Sequence, residues 1–202
     1  MEKKDAVWKV VCKVEGLFDS CRFLEQQSAS VLWICLSGEV KRVKLSDDLS
    51  RVVEIKSYNT NNGFASDKDI FVSKVDGRIC FATPKGVYRY NESADCMEPF
   101  QEMNLLLNGV NQYSRLVQYN NHLISLSQEI CIASLRNYKK GAETCIVPIE
   151  LPSVELVQGA EVIVPVSDSL MIIPDYDGFA LFKIPSHNQQ KDHSDLIHIR
   201  NV

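Results

Sequence analysis

The chain has 202 residues, of which 45% are hydrophobic and 24% charged, and its net charge is −4. Those totals fit one soluble globular domain, or a piece of a larger one, with enough apolar material for a real core. They exclude a polybasic nucleic-acid surface, because Lys3-Lys4 and Lys139-Lys140 are only isolated pairs.

No stretch approaches the ~20 consecutive apolar residues of a membrane helix. The opening MEKKDAVWKV has charges but no apolar core of a secretory signal. A strand-like Val7-Trp8-Lys9-Val10 so soon after Met1 is compatible with a segment cut from a longer protein. Seven cysteines (12, 21, 35, 80, 96, 131 and 145) show no Cys-x-x-Cys pair. This argues against a zinc knuckle, a thioredoxin-like motif and a disulfide framework. Most sit in apolar runs such as Trp33-Ile34-Cys35-Leu36 and are expected to be small buried hydrophobes.

In chain order, Val7–Val14 reads as a strand. A first group of strands starts near Cys21–Leu24 and includes Val40–Leu45 and Arg51–Tyr58, with a turn at Ser46-Asp47-Asp48. Asn59–Gly63 is a polar connector. The second group is the clearest: Asp69–Val75, Arg78–Thr83, Val87–Tyr90 and a short strand near Cys96–Phe100. Asp76-Gly77 favours φ > 0 at both turn positions and closes a two-residue hairpin. Thr83-Pro84-Lys85-Gly86 is a second turn. Ile79 and Phe81 alternate with Cys80 and Ala82, so this strand is apolar on both faces, as in a sheet sandwiched between neighbours. From Pro99 to Gly109 a short connector helix is expected, with Phe100, Met103, Leu106 and Leu107 on one face. A third group starts at Tyr113, its last strands split by 137–141, and Pro148 and Pro152 bracket an extended connector. A fourth group covers Glu161–Ile184. Residues 186–195 read as a polar linker, and 196–202 as the start of another strand.

These groups superpose. Val31–Val43 and Leu170–Phe182 align with Arg78–Tyr90 without a gap, and His122–Ser134 aligns with a turn one residue shorter. The anchor positions are Leu32, Ile79, Leu123 and Met171, spaced 47, 44 and 48 residues apart. A period in the forties with hairpin-linked strands predicts an all-β fold of about four four-stranded antiparallel β-propeller blades over residues 1–185.

Chemical motifs are sparse. Asp175-Tyr176-Asp177-Gly178 begins like a calcium loop but lacks the later ligands, with Lys183 and Ser186 downstream, so a hairpin turn is expected. His122, His187, His193 and His198 read as surface histidines. Asn91-Glu92-Ser93 matches a glycosylation acceptor in a turn. No G-x-S-x-G, P-loop or dinucleotide fingerprint is present. Trp33, Tyr88, Tyr90, Phe179 and Phe182 are the candidates to stack a sugar, with packing between blades as the alternative. No catalytic, metal-binding or cofactor-binding residue is assigned.

Asp76–Tyr90 resembles the two-component-regulator propeller repeat. Gly77, Ile79, Phe81, Thr83, Gly86, Val87 and Tyr90 match its core, while Cys80 stands for the usual Trp and Ala82 for the usual Gly. In the first copy Trp33-Ile34 match and Cys35-Leu36 depart; the fourth keeps Gly178-Phe179. Leu196–Val202 looks like the first strand of the triple-tyrosine immunoglobulin-like domain that follows such propellers. The resemblance implies a periplasmic, non-enzymatic sensor region of a membrane-spanning transcriptional regulator or hybrid sensor kinase of gut anaerobes, responding to oligosaccharides. The implied partners are an oligosaccharide and the following domain of the parent chain. Separately, the open blade faces and strand edges of an incomplete part of a larger propeller predict self-association of the fragment. The rival expectations are a purely structural scaffold or dimerisation region and a propeller-borne lyase or hydrolase.

Overall fold

The computed structural model describes residues 2–4, 7–36, 38–66, 68–108, 115–126, 130–135, 146–149, 162–167, 169–176, 178–184 and 196–200. The expected linker at 186–195 and the 137–141 insertion lie outside them. The described residues form eighteen strands and one α-helix, α1 (Gln101–Leu106). The chain divides into two compact units, Met1–Phe100 and Gln101–Val202, within the stretch read from sequence as one run of repeats.

In the first unit, β1 (Glu2–Lys4) and β2 (Val7–Lys9) form a small hairpin. The strand expected over Val7–Val14 stops at Lys9. Glu15 instead bridges in parallel to Arg51, through Glu15 N to Ser50 O at 3.0 Å and Val52 N to Glu15 O at 2.9 Å. This ties the intervening segment to the first sheet. That sheet contains β3 (Phe23–Ser28), β4 (Val31–Cys35), β5 (Val40–Leu45) and β6 (Val52–Tyr58) in sequential antiparallel order. The second contains β7 (Phe71–Val75), β8 (Arg78–Thr83), β9 (Gly86–Asn91) and β10 (Cys96–Pro99), ordered the same way.

The turns follow the local chemistry. Asp76 and Gly77 adopt φ of 51° and 74°, the paired positive values that Asp-Gly supplies to a two-residue hairpin. The polar connector between the two sheets is a 3-10 turn, Thr60–Asn62, capped by the Asn59 side chain and ended by Gly63 at φ 107°. Pro99 does not open the helix. It ends β10, an edge strand, where a missing N–H disturbs no ladder. Met103, Leu106 and Leu107 of the α1 region are buried, as the helical spacing predicts.

The first two sheets pack face to face and approach most closely along β3 and β7. Their shared core contains Trp33, Cys35, Val40, Tyr58, Phe64, Val72, Phe81, Tyr88 and Met97. The second sheet is buried on both faces, because Phe71, Val75, Cys80, Ala82 and Val87 are also out of solvent. This is why β8 reads as apolar throughout.

The second unit repeats the plan. Its first sheet contains β11 (Arg115–Tyr119), β12 (His122–Leu126), β13 (Ile130–Ser134) and β14 (Ile146–Ile149). Pro148 is not a connector but sits in β14, again an edge strand, opposite Cys131. The last sheet contains β15 (Val164–Ser167), β16 (Leu170–Asp175), β17 (Gly178–Lys183) and β18 (Leu196–Arg200). Leu196–Arg200, expected to open a following domain, pairs antiparallel with β17 and covers the edge β17 would otherwise leave open. The core between these sheets holds Ile124, Leu126, Ile130, Ile132, Met171, Ile173 and Phe182.

The four anchors fall in one place. Leu32, Ile79, Leu123 and Met171 are each the second residue of the second strand of a four-stranded sheet. The residue after the anchor points the other way. Trp33 and Ile124, at that next position, pack onto the sheet that follows in their unit.

Candidate functional site

A polar cluster that joins the two sheets of the first unit lies where β6 meets the β9–β10 hairpin. Asp95, at the hairpin tip with φ 48°, is its centre. Its Oδ1 accepts the Tyr58 hydroxyl at 2.6 Å and the Tyr90 hydroxyl at 2.7 Å, and its Oδ2 accepts Lys56 Nζ at 2.8 Å. The tyrosines come from different sheets, so one carboxylate clamps the first sheet to the second. The Lys56 ammonium, then the two phenols, hold the Asp95 carboxyl well below the usual carboxylate range. Burial, then the Asp95 carboxylate, raises the Tyr58 phenol.

Behind the clamp, Trp33 lies 4.9 Å from Phe81, 5.1 Å from Tyr90 and 5.4 Å from Tyr58, centroid to centroid, at tilted or edge-on angles. Its indole N–H donates to Gln27 Oε1 at 2.8 Å. The Arg42 guanidinium stands 5.5 Å over the Tyr90 ring and 3.8 Å from the exposed Glu92 carboxylate. Arg42 Nε is buried without a hydrogen-bond partner.

The arrangement is a fastener. Its acid is fully engaged and ionised, its phenols are shifted away from neutral-pH titration, and its aromatic rings are packed against each other. Of the aromatics considered for sugar stacking, Trp33, Tyr88 and Phe182 are buried core residues and Tyr90 is half-buried in the clamp. Phe179 alone keeps an open face, with 37% exposure.

The other candidates resolve locally. Asp175 pairs with Gly178 across a β16–β17 hairpin, and its Oδ1 accepts the Tyr176 N–H at 2.7 Å. Among the described residues no three His, Cys, Asp or Glu side chains gather to hold a metal ion. Asn91 Oδ1 accepts from Ser93 N, Ser93 Oγ and Ala94 N, and Asn91 Nδ2 donates to Glu98, so the acceptor tripeptide is a turn cap. His122 opens β12 opposite Tyr119 and is half-buried; His187 and His193 lie outside the described residues. Cys35, Cys80 and Cys131 are buried as the apolar runs predict, whereas Cys12 and Cys21 are exposed. Burial pushes the Cys35 and Cys80 thiols up to about 12, away from nucleophilic reactivity.

The sequence reading missed Lys56, Tyr58, Arg42 and Asp95 as a group. Tyr58 ends the fourth strand of the first sheet and Tyr90 lies near the end of the third strand of the second, so the repeat register does not relate them. The polar loop Asn91–Asp95 gave no sign of its distant partners.

No protein-family model matches the chain, and no curated protein matches it in sequence. Among solved structures it is similar to the crystal structure of the computationally designed Ika4 protein, at 10% identity and a TM-score of 0.45, over 89% of this chain and 100% of that one. Among the described residues no helix is long and apolar enough to cross a membrane.

Proposed function

We propose that the four sheets are successive blades of a β-propeller, and that the chain is a non-enzymatic, extracytoplasmic sensor region of a signal-transducing transcriptional regulator, responding to oligosaccharides. The observation that carries this reading is the common place of Leu32, Ile79, Leu123 and Met171 in four sequentially ordered antiparallel sheets. The closest approach of the first two sheets along their first strands, β3 and β7, supports it, because blades converge where their first strands line an axis.

Among the described residues the Asp95 carboxylate is taken up in fastening two sheets together and the buried Cys35 and Cys80 thiols are raised, which favours binding over turnover. Since the sugar-stacking candidates of the repeat strands are largely core, ligand contacts belong to loops between strands. Titration calorimetry of the intact extracytoplasmic region against a panel of oligosaccharides tests the reading. Saturable heat without product formation is expected. Absence of binding across the panel overturns sensing, and release of shorter sugars overturns the non-enzymatic assignment.

A further inference from the structure

The repeat makes the faces of the sheets comparable position by position. On the side of a sheet that meets the next one, the first sheet presents Trp33 and Cys35 of β4 with Val40 and Arg42 of β5. The third sheet presents Ile124 and Leu126 of β12 with Ile130 and Ile132 of β13. Except for Arg42, all of these are buried under the sheet that follows in their unit. The equivalent residues of the last sheet are Ile172 and Pro174 of β16, paired with Leu181 and Phe179 of β17. All four are apolar, yet none is buried. Phe179 is 37% exposed, and Val164 of β15, opposite Ile172, is 47% exposed. The last sheet therefore carries the kind of interface surface that two other sheets bury, and among the described residues of its unit none packs over it.

The complementary surface is the side that anchor residues face. In the first sheet, Val14 and Leu17 of the segment before β3 cover part of it, packing on Ile34, Val43 and Leu45. Leu24, paired with Ile34, remains 54% exposed, and Ile55, paired with Val43, 40%. Phe18, on the covering segment, is 97% exposed.

We propose that copies of this chain associate head to tail, the open face of the β15–β18 sheet of one copy docking on the Phe18, Leu24 and Ile55 surface of the next. The occupant is a second copy because the exposed surface of the kind this face buries elsewhere lies on the chain's own first sheet. The contact is heterologous, so a pair of copies keeps one free face of each kind. The inference rests on the sheet repeat and not on any ligand.

Sedimentation velocity of the full chain over a wide concentration range tests it, with Phe179→Glu, Leu24→Glu and the turn variant Lys85→Glu. The wild type and Lys85→Glu should self-associate alike. Phe179→Glu and Leu24→Glu should each weaken association by at least about tenfold, because each buries an unpaired carboxylate. A mixture of those two variants should restore a one-to-one dimer, since each keeps the face the other lacks. A monomeric wild type overturns the proposal. So does a Leu24→Glu variant that still dimerises while Phe179→Glu does not, which is the mark of a symmetric contact. Loss of association in Lys85→Glu, or failure of the mixture to pair, overturns it as well. Unchanged near-ultraviolet circular dichroism of each variant separates lost contact from lost fold.

Discussion

Tyr58, at the end of β6, donates a 2.6 Å hydrogen bond to Asp95, in the β9–β10 hairpin of the neighbouring sheet. The two residues stand 37 positions apart in the chain, and their bond joins the two sheets at the strands farthest from their closest approach along β3 and β7. In the second unit the Tyr119 hydroxyl donates to Ser167 O at 2.8 Å, between the first strands of its two sheets.

The clamp predicts an order of effects. Tyr58→Phe removes one bond to a carboxylate and should cost about 1–2 kcal/mol in urea unfolding. Lys56→Ala should cost less, because the Lys56–Asp95 pair is solvent-exposed on both sides and screened. A larger loss for Lys56→Ala than for Tyr58→Phe would mean that charge, not the phenol bond, joins the sheets.

The clamp also predicts a pH dependence. The folded-state pKa of Asp95 lies below its unfolded value, so its contribution is fully present above the unfolded pKa and is lost as pH falls through the folded one. Asp48 acts in the same direction, held down to about 2 by Ser46 and Ser50. Stability should decline progressively from about pH 5 downward. Asp95→Asn imitates the protonated acid, so its melting temperature should fall below wild type at neutral pH and converge with it in acid. A gap that stays constant from neutral pH to acid would remove Asp95 from the acid response.

Arg42 occupies the position that Ile132 fills in the second unit, and its buried Nε has no partner. Arg42→Leu should therefore be nearly neutral, within about 1 kcal/mol in either direction, as the desolvation of a poorly paired charge is relieved. A loss of more than about 2 kcal/mol would show that its contacts with Tyr90 and Glu92 outweigh that cost.

Gly63 ends the connector between the first two sheets at φ 107°, and an added Cβ would collide with the Met97 carbonyl oxygen. The obstacle is backbone, and the conformation itself disfavours an L side chain. Gly63→Ala should lose at least about 2 kcal/mol in urea unfolding. A near-native midpoint would show that the two sheets can separate at this corner without cost.

Thiol accessibility provides a further check on the packing. Iodoacetamide applied to the native chain at mildly alkaline pH should label Cys12 first and Cys21 more slowly, since partial burial raises the latter. Cys35, Cys80 and Cys131 should react only after denaturation. Rapid native labelling of Cys35, whose sulfur accepts the Val72 N–H at 3.1 Å between the sheets, would contradict the face-to-face packing.

By itself the sequence determined the all-β character, the four anchors and most strand bounds, because alternation, turn residues and an internal period are local. Asp76-Gly77 announces its hairpin without help from any distant residue, and β8 shows its double burial in four consecutive apolar letters. Only the tertiary structure decided which polar residues meet. Lys56, Tyr58, Tyr90 and Asp95 are joined across two sheets by strand twist and sheet packing, to which no spacing rule along the chain corresponds. Likewise Pro99 and Pro148 look like breakers in one dimension and are harmless in three, since each falls on an edge strand whose outer side needs no N–H. Leu196–Arg200 reads as a strand either way, but which sheet it joins depends on the open edge of β17. That edge exists only once the fourth sheet has formed.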